Sequence, residues 1–262
     1  MDCHQAALHN RMSRIIVVRH HEGDLDDTAS LHLTESHYKV EHHYPFDKDN
    51  PNSDLPFDQL HVQTTADAIS GTIVMGGAQH VTQLNQMPYL QTEVDWILAC
   101  IEADVPVIGI CLGAQLLAHA LGGEVANHTD GLCEYGYEPI YPVNDPKNDN
   151  GNDCDWIPEP MHMVQAHFQG FTLPPDTKAL ARGDNFPHQA FSYNNKAFGF
   201  QFHPEVHSEM FEQWLNADWA DEFKAMPGAR PDPRQLPDNQ QYNAAQTQWF
   251  KGFLDRLFPP LA

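Results

Sequence analysis

The chain has 262 residues, 41% of them hydrophobic, enough for a sizeable core and too many for disorder throughout. Its 14 Lys and Arg stand against 36 Asp and Glu, a formal net charge of -22. Such a surface repels phosphate backbones and anionic bilayers, so neither nucleic acid nor a membrane is expected as a partner. Five cysteines, Cys3, Cys100, Cys111, Cys133 and Cys154, are odd in number and widely spaced, with no CxxC. That pattern argues against a disulfide framework or a thiolate zinc site and for a reducing compartment. No apolar run approaches the ~20 residues of a membrane span. The first residues, "MDCHQAALHNRMSR", lack the apolar centre of a secretory signal, which places the protein in the cytoplasm.

In chain order, residues 1–12 read as an N-terminal extension, and "RIIVVRH" (14–20) as a buried, β-branched strand. Residues 21 to 60 are rich in His, Asp and Pro and show only a weak pattern of helix and strand. "AISGTIVMGGAQ" (68–79) gives a second strand, ending in Gly76-Gly77. "YLQTEVDWILACIEADV" (89–105) repeats its apolar residues at helical spacing. "PVIGIC" (106–111) is a third strand, and "LGAQLLAHALGG" a helix stopped by Gly122. The alternation predicts an α/β fold: a mostly parallel open sheet with helices on both faces. Beyond it, 144–160 reads as a polar, exposed insertion. "KAFGFQFHPEV" (196–206) alternates like a strand, and 207–219 is helical. Residues 226–238 form a Pro-rich linker before an amphipathic C-terminal helix, which docks on the body of the domain or on a second subunit. The whole is expected to be one domain, with its core at about 13–218 and the linker and helix within 219–262.

A cysteine on a strand-to-helix turn has three physical advantages. The turn exposes its side chain at the carboxyl end of the sheet, where open α/β folds bind ligands. The helix start offers free N–H groups and a positive dipole end, a field that favours thiolate. The same N–H groups can receive the oxyanion of a tetrahedral intermediate. Gly109 and Gly113 flank Cys111 and permit a tight backbone there. Most free cysteines are buried and inert, so Cys111 needs a base to count as a nucleophile. "FGFQFHPEV" supplies one: His203 closes an apolar run, and Glu205 stands two residues on, placed to orient the imidazole. The glycines of "IVMGGAQ" can turn a backbone N–H toward a neighbouring site, although a plain turn would look the same.

Together "VMGGAQ", "GICLGAQLLAHALGG" and "GFQFHPE" resemble the class I, triad-type glutamine amidotransferases, in particular free-standing proteins like the glutaminase domain of GMP synthase. The likeness runs from about Ser13 to Asp218 and implies a flavodoxin-like fold. It implies a catalytic triad of Cys111, His203 and Glu205, and an oxyanion hole from the backbone N–H groups of Gly77 and Leu112. It places Gly76, Gln115, His167 and Gln189 at the substrate, and it calls for no cofactor and no metal. The implied reaction is hydrolysis of the glutamine side-chain amide to glutamate and ammonia through a glutamyl thioester. A small-molecule substrate is therefore expected, and the ammonia would pass to a separate synthetase subunit unless the enzyme acts alone.

One departure bears on the substrate. Relatives carry a Trp-His-Gly-Asp run where this chain has "QAHFQGF", so His167 is kept and Phe168-Gln169 replace Gly-Asp. This keeps open a γ-glutamyl amine or peptide hydrolase with the same triad. A non-catalytic regulatory relative is a further alternative, which the intact Cys, His and Glu argue against. A metal protein is the last, resting on 17 histidines. The pairs His20-His21 and His42-His43 put neighbours on opposite faces of a strand and do not chelate together easily. A homodimer through the aromatic C-terminal helix is also expected to be open to the chain.

Overall fold

The computed structural model describes residues 13–23, 25–60, 68–143 and 156–261. The expected N-terminal extension and most of the polar insertion (144–155) lie outside the described residues. Strand β1 (Arg14–Val18) is buried along its whole length, as a β-branched run covered on both faces should be. It pairs in parallel with β2 (Lys39–His43) on one side and β3 (Ile69–Val74) on the other. Next come β4 (Val107–Ile110), parallel to β3, and β11 (Ala197–Phe200), parallel to β4.

Beyond β11 the same sheet continues antiparallel, through β10 (Ala190–Tyr193), β9 (Lys178–Arg182), β6 (Glu134–Pro142) and β7 (Met161–His167). The full order is β2-β1-β3-β4-β11-β10-β9-β6-β7. The short strands β5 (Val125–Asn127) and β8 (Gln169–Phe171) pair separately. β10 and β11 form a hairpin whose Asn194 and Asn195 both have positive φ, 51° and 53°, the type I′ geometry that matches strand twist.

Helices cover both faces of the parallel half. Alternate residues of β1 sort the two cores. Ile15 and Val17 pack with α1 (Thr28–Glu35) and α6 (Asp232–Leu257). Ile16 and Val18 pack with α2 (Pro88–Glu102) and α3 (Leu112–Ala120). The Asp27 side chain caps α1 by accepting from the Ser30 N–H at 2.9 Å. At the end of α3, Gly122 (φ 91°) and Gly123 donate back to the carbonyls of His119 and Ala118, so the helix stops where the sequence places a glycine. The stretch read as helix, 207–219, holds α4 (Ser208–Leu215), and a further short helix, α5 (Ala220–Lys224), follows just beyond it.

Three sequence-based expectations change. The alternating 196–206 stretch is strand only through Phe200, and His203 lies three residues past its end. The end of the polar insertion is anchored rather than exposed: Ile157 is buried, and Trp156 packs edge-on to Phe198 at 4.6 Å. The last part of the Pro-rich linker is helix, because α6 already begins at Asp232. Pro233 sits in its first turn, where N–H groups have no intrahelical partner, and Pro237 is accommodated inside the helix. Phe250, Phe253 and Leu254 of α6 are buried against the sheet. The helix thus docks on its own domain, and that face is not free for a second subunit.

Gln246 of α6 ties the two halves of the molecule together. Its Oε1 accepts from the Val164 N–H at 2.8 Å, and its Nε2 donates to the carbonyls of His203 and Val206 at 3.2 and 2.9 Å. Replacing it by leucine removes the acceptor of the buried Val164 N–H and leaves the His203 carbonyl only a long bond from the Val206 N–H, at 3.4 Å, while the Val206 carbonyl keeps Asn243. Gln246→Leu should lower the unfolding free energy by about 3 kcal/mol in a urea titration, and a loss under about 1 kcal/mol would contradict this role.

Candidate active site

The site forms where neighbouring parallel strands end together. Cys111 follows β4 and precedes α3, with φ 50° and ψ -105°, a backbone that non-glycine residues rarely adopt. The turn is so tight that side chains are forbidden on both flanks. A Cβ on Gly109 would lie 2.4 Å from the Gly113 carbonyl oxygen, and one on Gly113 would lie 1.9 Å from that of Val74. The Cys111 N–H donates to the Phe200 carbonyl at 2.7 Å, fastening the turn to the strand that leads into His203. Leu112 opens α3, and its N–H has no partner among the described residues.

The buried His203 imidazole lies beside Cys111, both within reach of one Cβ position on Gly76, and its Nδ1 bonds Glu205 Oε1 at 2.8 Å. Burial by itself lowers the imidazole pKa. The neighbouring Glu205 and Cys111 outweigh it and raise the pKa to about 10, so the cationic ring is favoured. The edge-to-face Trp214 ring, 5.0 Å away, packs against the imidazole. The His203 N–H donates to the Val164 carbonyl at 2.8 Å, and the Glu205 carbonyl accepts from the Thr28 N–H at 2.9 Å. The other Glu205 oxygen, Oε2, is buried with no partner among the described residues.

Gly76, just past β3, completes the convergence. A Cβ there would lie 2.7 Å from His203 Cε1 and 3.5 Å from Cys111 Cβ. Its carbonyl faces away, to His20 Nδ1 at 3.2 Å. The Gly77 N–H, like that of Leu112, has no partner among the described residues. Two other cysteines are poor competitors for Cys111: burial pushes the thiols of Cys100 and Cys133 up, Cys133 to about 11. Among the described residues no group of three or more His, Cys, Asp or Glu could hold a metal ion. No helix there is long and apolar enough to cross a membrane.

The sequence profile of the class I glutamine amidotransferases matches residues 33–221. The chain belongs to that family. Over 154 residues it is 37% identical to a component chain of the glutamine-hydrolysing GMP synthase of Sulfurisphaera tokodaii, 55% of this chain and 75% of the relative. It is 33% identical to γ-glutamyl peptidase 5 of Arabidopsis thaliana over 140 residues, 49% of this chain and 55% of the relative. It is 35% identical to the GMP synthase of Trichormus variabilis over 138 residues, 52% of this chain but only 23% of the relative. The chain thus spans less than two thirds of the length of several curated relatives. Among solved structures, a glutamine amidotransferase from Methylobacillus flagellatus superposes with a TM-score of 0.78 at 25% identity, covering 96% of each chain.

Around the cysteine, this amidotransferase domain carries a buried amide network. Gln201 Nε2 lies 3.8 Å from the Cys111 sulfur, and the Ala166 carbonyl 3.9 Å from it. Gln115 Nε2 donates to Gln201 Oε1 and to the Gln169 carbonyl, both at 3.2 Å. His167 uses both ring nitrogens, Nδ1 on the Gln169 carbonyl at 2.9 Å and Nε2 on Glu134 at 3.0 Å. Gln189 Nε2 donates to the same Glu134 at 2.7 Å, and its Oε1 accepts from Gln165 at 2.9 Å.

The structure therefore gathers Cys111, His203, Glu205, Gly76 and the start of α3. Gln115, His167 and Gln189, expected at the substrate, sit one layer back, with these polar groups engaged by protein. Gln201 is a neighbour of the sulfur that motif reading passes over, although it stands two residues before His203. Phe168 packs with His80 and Phe223 at 5.1 and 6.0 Å.

The close approach at Gly113 sets a contrast with an open glycine elsewhere. Gly113→Ala must displace backbone and should cost more than about 3 kcal/mol or abolish soluble expression. Gly252→Ala, on α6 with open space around its Cβ, should gain up to about 1 kcal/mol. Equal melting temperatures for the two variants would contradict the close approach. The raised His203 pKa also predicts a pH trend. Its contribution to stability is complete below the ordinary value of 6.5 and fades as pH rises through about 10. The stability advantage of the native chain over His203→Asn should narrow over that span in urea titrations. A constant difference would show that the imidazole is not held as a cation.

Proposed function

We propose that the chain is a cysteine amidohydrolase that converts the side-chain amide of glutamine to glutamate and ammonia. The carrying observation is the convergence of Cys111, at the N-terminus of α3, with the buried and hydrogen-bonded His203–Glu205 pair. Cys111 attacks the amide carbon as the thiolate, and the N–H groups of Gly77 and Leu112 receive the oxyanion. The His203 imidazolium gives its proton to the leaving nitrogen, so ammonia departs and a glutamyl thioester remains. The now neutral His203 takes a proton from water, whose oxygen attacks the thioester. Collapse releases glutamate and returns the thiolate–imidazolium pair. Glu205 holds the ring in register and stabilises its charge.

A second reading keeps every step and enlarges the leaving group to a γ-glutamyl amine or peptide. It is supported by Phe168 and its aromatic neighbours, which replace the small and acidic pair of relatives with apolar surface, and by the similarity to γ-glutamyl peptidase 5. The similarity to the Sulfurisphaera GMP synthase component supports the companion proposal that ammonia is handed to a separate synthetase chain.

Purified protein given glutamine, γ-glutamyl amines and γ-glutamyl peptides should release glutamate from at least one of them. Cys111→Ala should retain the melting temperature within a few degrees and lose turnover by about 10⁴-fold or more. Turnover on glutamine alone would discard the second reading, and turnover on the larger amides alone would discard the first. Undiminished activity in Cys111→Ala would refute both.

A further inference from the structure

We infer that His20 and Glu93 are positioning residues that hold the Gly76-Gly77 peptide with its N–H toward the cysteine. This inference rests on the hydrolase reading above and names what orients the proposed oxyanion donor.

Both side chains are buried, His20 just after β1 and Glu93 on α2. His20 Nε2 meets Glu93 Oε2 at 2.7 Å, and its Nδ1 meets the Gly76 carbonyl at 3.2 Å. Both ring nitrogens face acceptors, which an imidazolium satisfies with two N–H groups. Burial lowers the His20 pKa, but Glu93 and the backbone carbonyls reverse this, and the net shift is upward.

The Gly76 α-carbon faces the triad, whereas its carbonyl points at His20. No cis peptide occurs among the described residues, so the Gly77 N–H projects opposite that carbonyl. Gly76 has no Cβ to resist rotation, and neither has Gly77, whose own Cβ would strike His20 Cβ at 2.6 Å. Two consecutive glycines leave both orientations of the peptide accessible. Rotated by half a turn, the peptide would aim its carbonyl oxygen at the substrate oxyanion and repel it. Something must select the productive orientation, and the His20 donor does so. A buried ion pair is weak evidence for stability, since apolar residues of similar size serve a core as well. Its value here lies in a donor fixed on one carbonyl, with Glu93 fixing the ring.

The experiment compares two double variants, because leaving Glu93 buried without a partner endangers folding. His20→Leu/Glu93→Leu removes the donor together with the ion pair. His20→Asn/Glu93→Leu restores only an amide N–H near the position of Nδ1. Turnover of the best γ-glutamyl substrate is measured beside the alkylation rate of Cys111 by iodoacetamide, a substitution that needs the thiolate and no oxyanion donor. The Leu/Leu variant should lose about 10²–10³-fold in kcat, with KM and the alkylation rate within about threefold of the native chain. The Asn/Leu variant should recover kcat to within about tenfold of the native value. Crystal structures of the native chain and the Leu/Leu variant should show the Gly76 carbonyl rotated only in the variant. The inference is overturned by full kcat in Leu/Leu, by alkylation that falls in parallel with kcat, or by a Gly76 carbonyl that stays in place. If the native chain turns over no γ-glutamyl compound, the hydrolase reading fails separately, and the peptide orientation in the two crystal structures still decides the positioning role.

Discussion

The backbone of Cys111 is the constraint on which the rest depends. A residue held at φ 50° and ψ -105° persists only when its surroundings over-determine it. Here they do so from three directions: the Gly113 backbone against Val74, Gly109 against Gly113, and the Cys111 N–H bonded to Phe200. β3 and β11 lie on either side of β4 and run parallel to it. Their carboxyl ends therefore emerge at one edge, so residues 76, 111 and 203 meet there although they are far apart in the chain. Topology supplies the convergence, and the glycines supply the last few ångströms.

The site is ringed by buried His–carboxylate pairs with different partners. His203–Glu205 stands beside Cys111. His20–Glu93 touches the backbone of Gly76. His167–Glu134 touches neither and instead anchors the amide network behind the cysteine. An imidazole between a carboxylate and a second group transmits a fixed direction, because both nitrogens are occupied and the ring cannot turn without losing a bond. The surface charge of -22 has no counterpart in this ring of pairs. Charge of that kind acts at long range and is screened by salt, while the electrostatics beside Cys111 are set at contact range.

What could be read from sequence follows from how local each signal is. Buried parallel strands leave continuous apolar runs, and the strand–turn–helix at Cys111 leaves its glycines, so β1, β3, β4, α2 and α3 were legible. The antiparallel half was not. β6, β7, β9 and β10 mix polar and apolar residues, because Glu134, Gln165 and Gln189 are buried in hydrogen bonds where apolar residues would normally mark a core face. The Asn194-Asn195 turn was the missed cue for the β10–β11 hairpin. Likeness alone puts His167 and Gln189 at the substrate, whereas in the fold their polar ends bond protein groups. Pro233 and Pro237 disguised the start of α6, since proline discourages a helix reading even where the first turn tolerates it.

The C-terminal helix resolves a problem that the loop carrying His203 creates. His203, Glu205 and Val206 lie beyond the end of β11, so their backbone groups have no ladder to join. Buried and unpaired, each would carry a penalty of roughly 1–3 kcal/mol. α6 answers with side-chain amides: Gln246 takes the carbonyls of His203 and Val206, and Asn243 also donates to Val206 at 3.0 Å. Gln246 reaches back to Val164 as well, whose carbonyl accepts from the His203 N–H. His203 is thus framed by a closed ring of hydrogen bonds through residues 164, 203 and 246. That ring depends on a helix beyond residue 221, where the family match ends. A loop freed from strand geometry can aim an imidazole at a sulfur, but it holds that aim only if other elements satisfy its polar backbone.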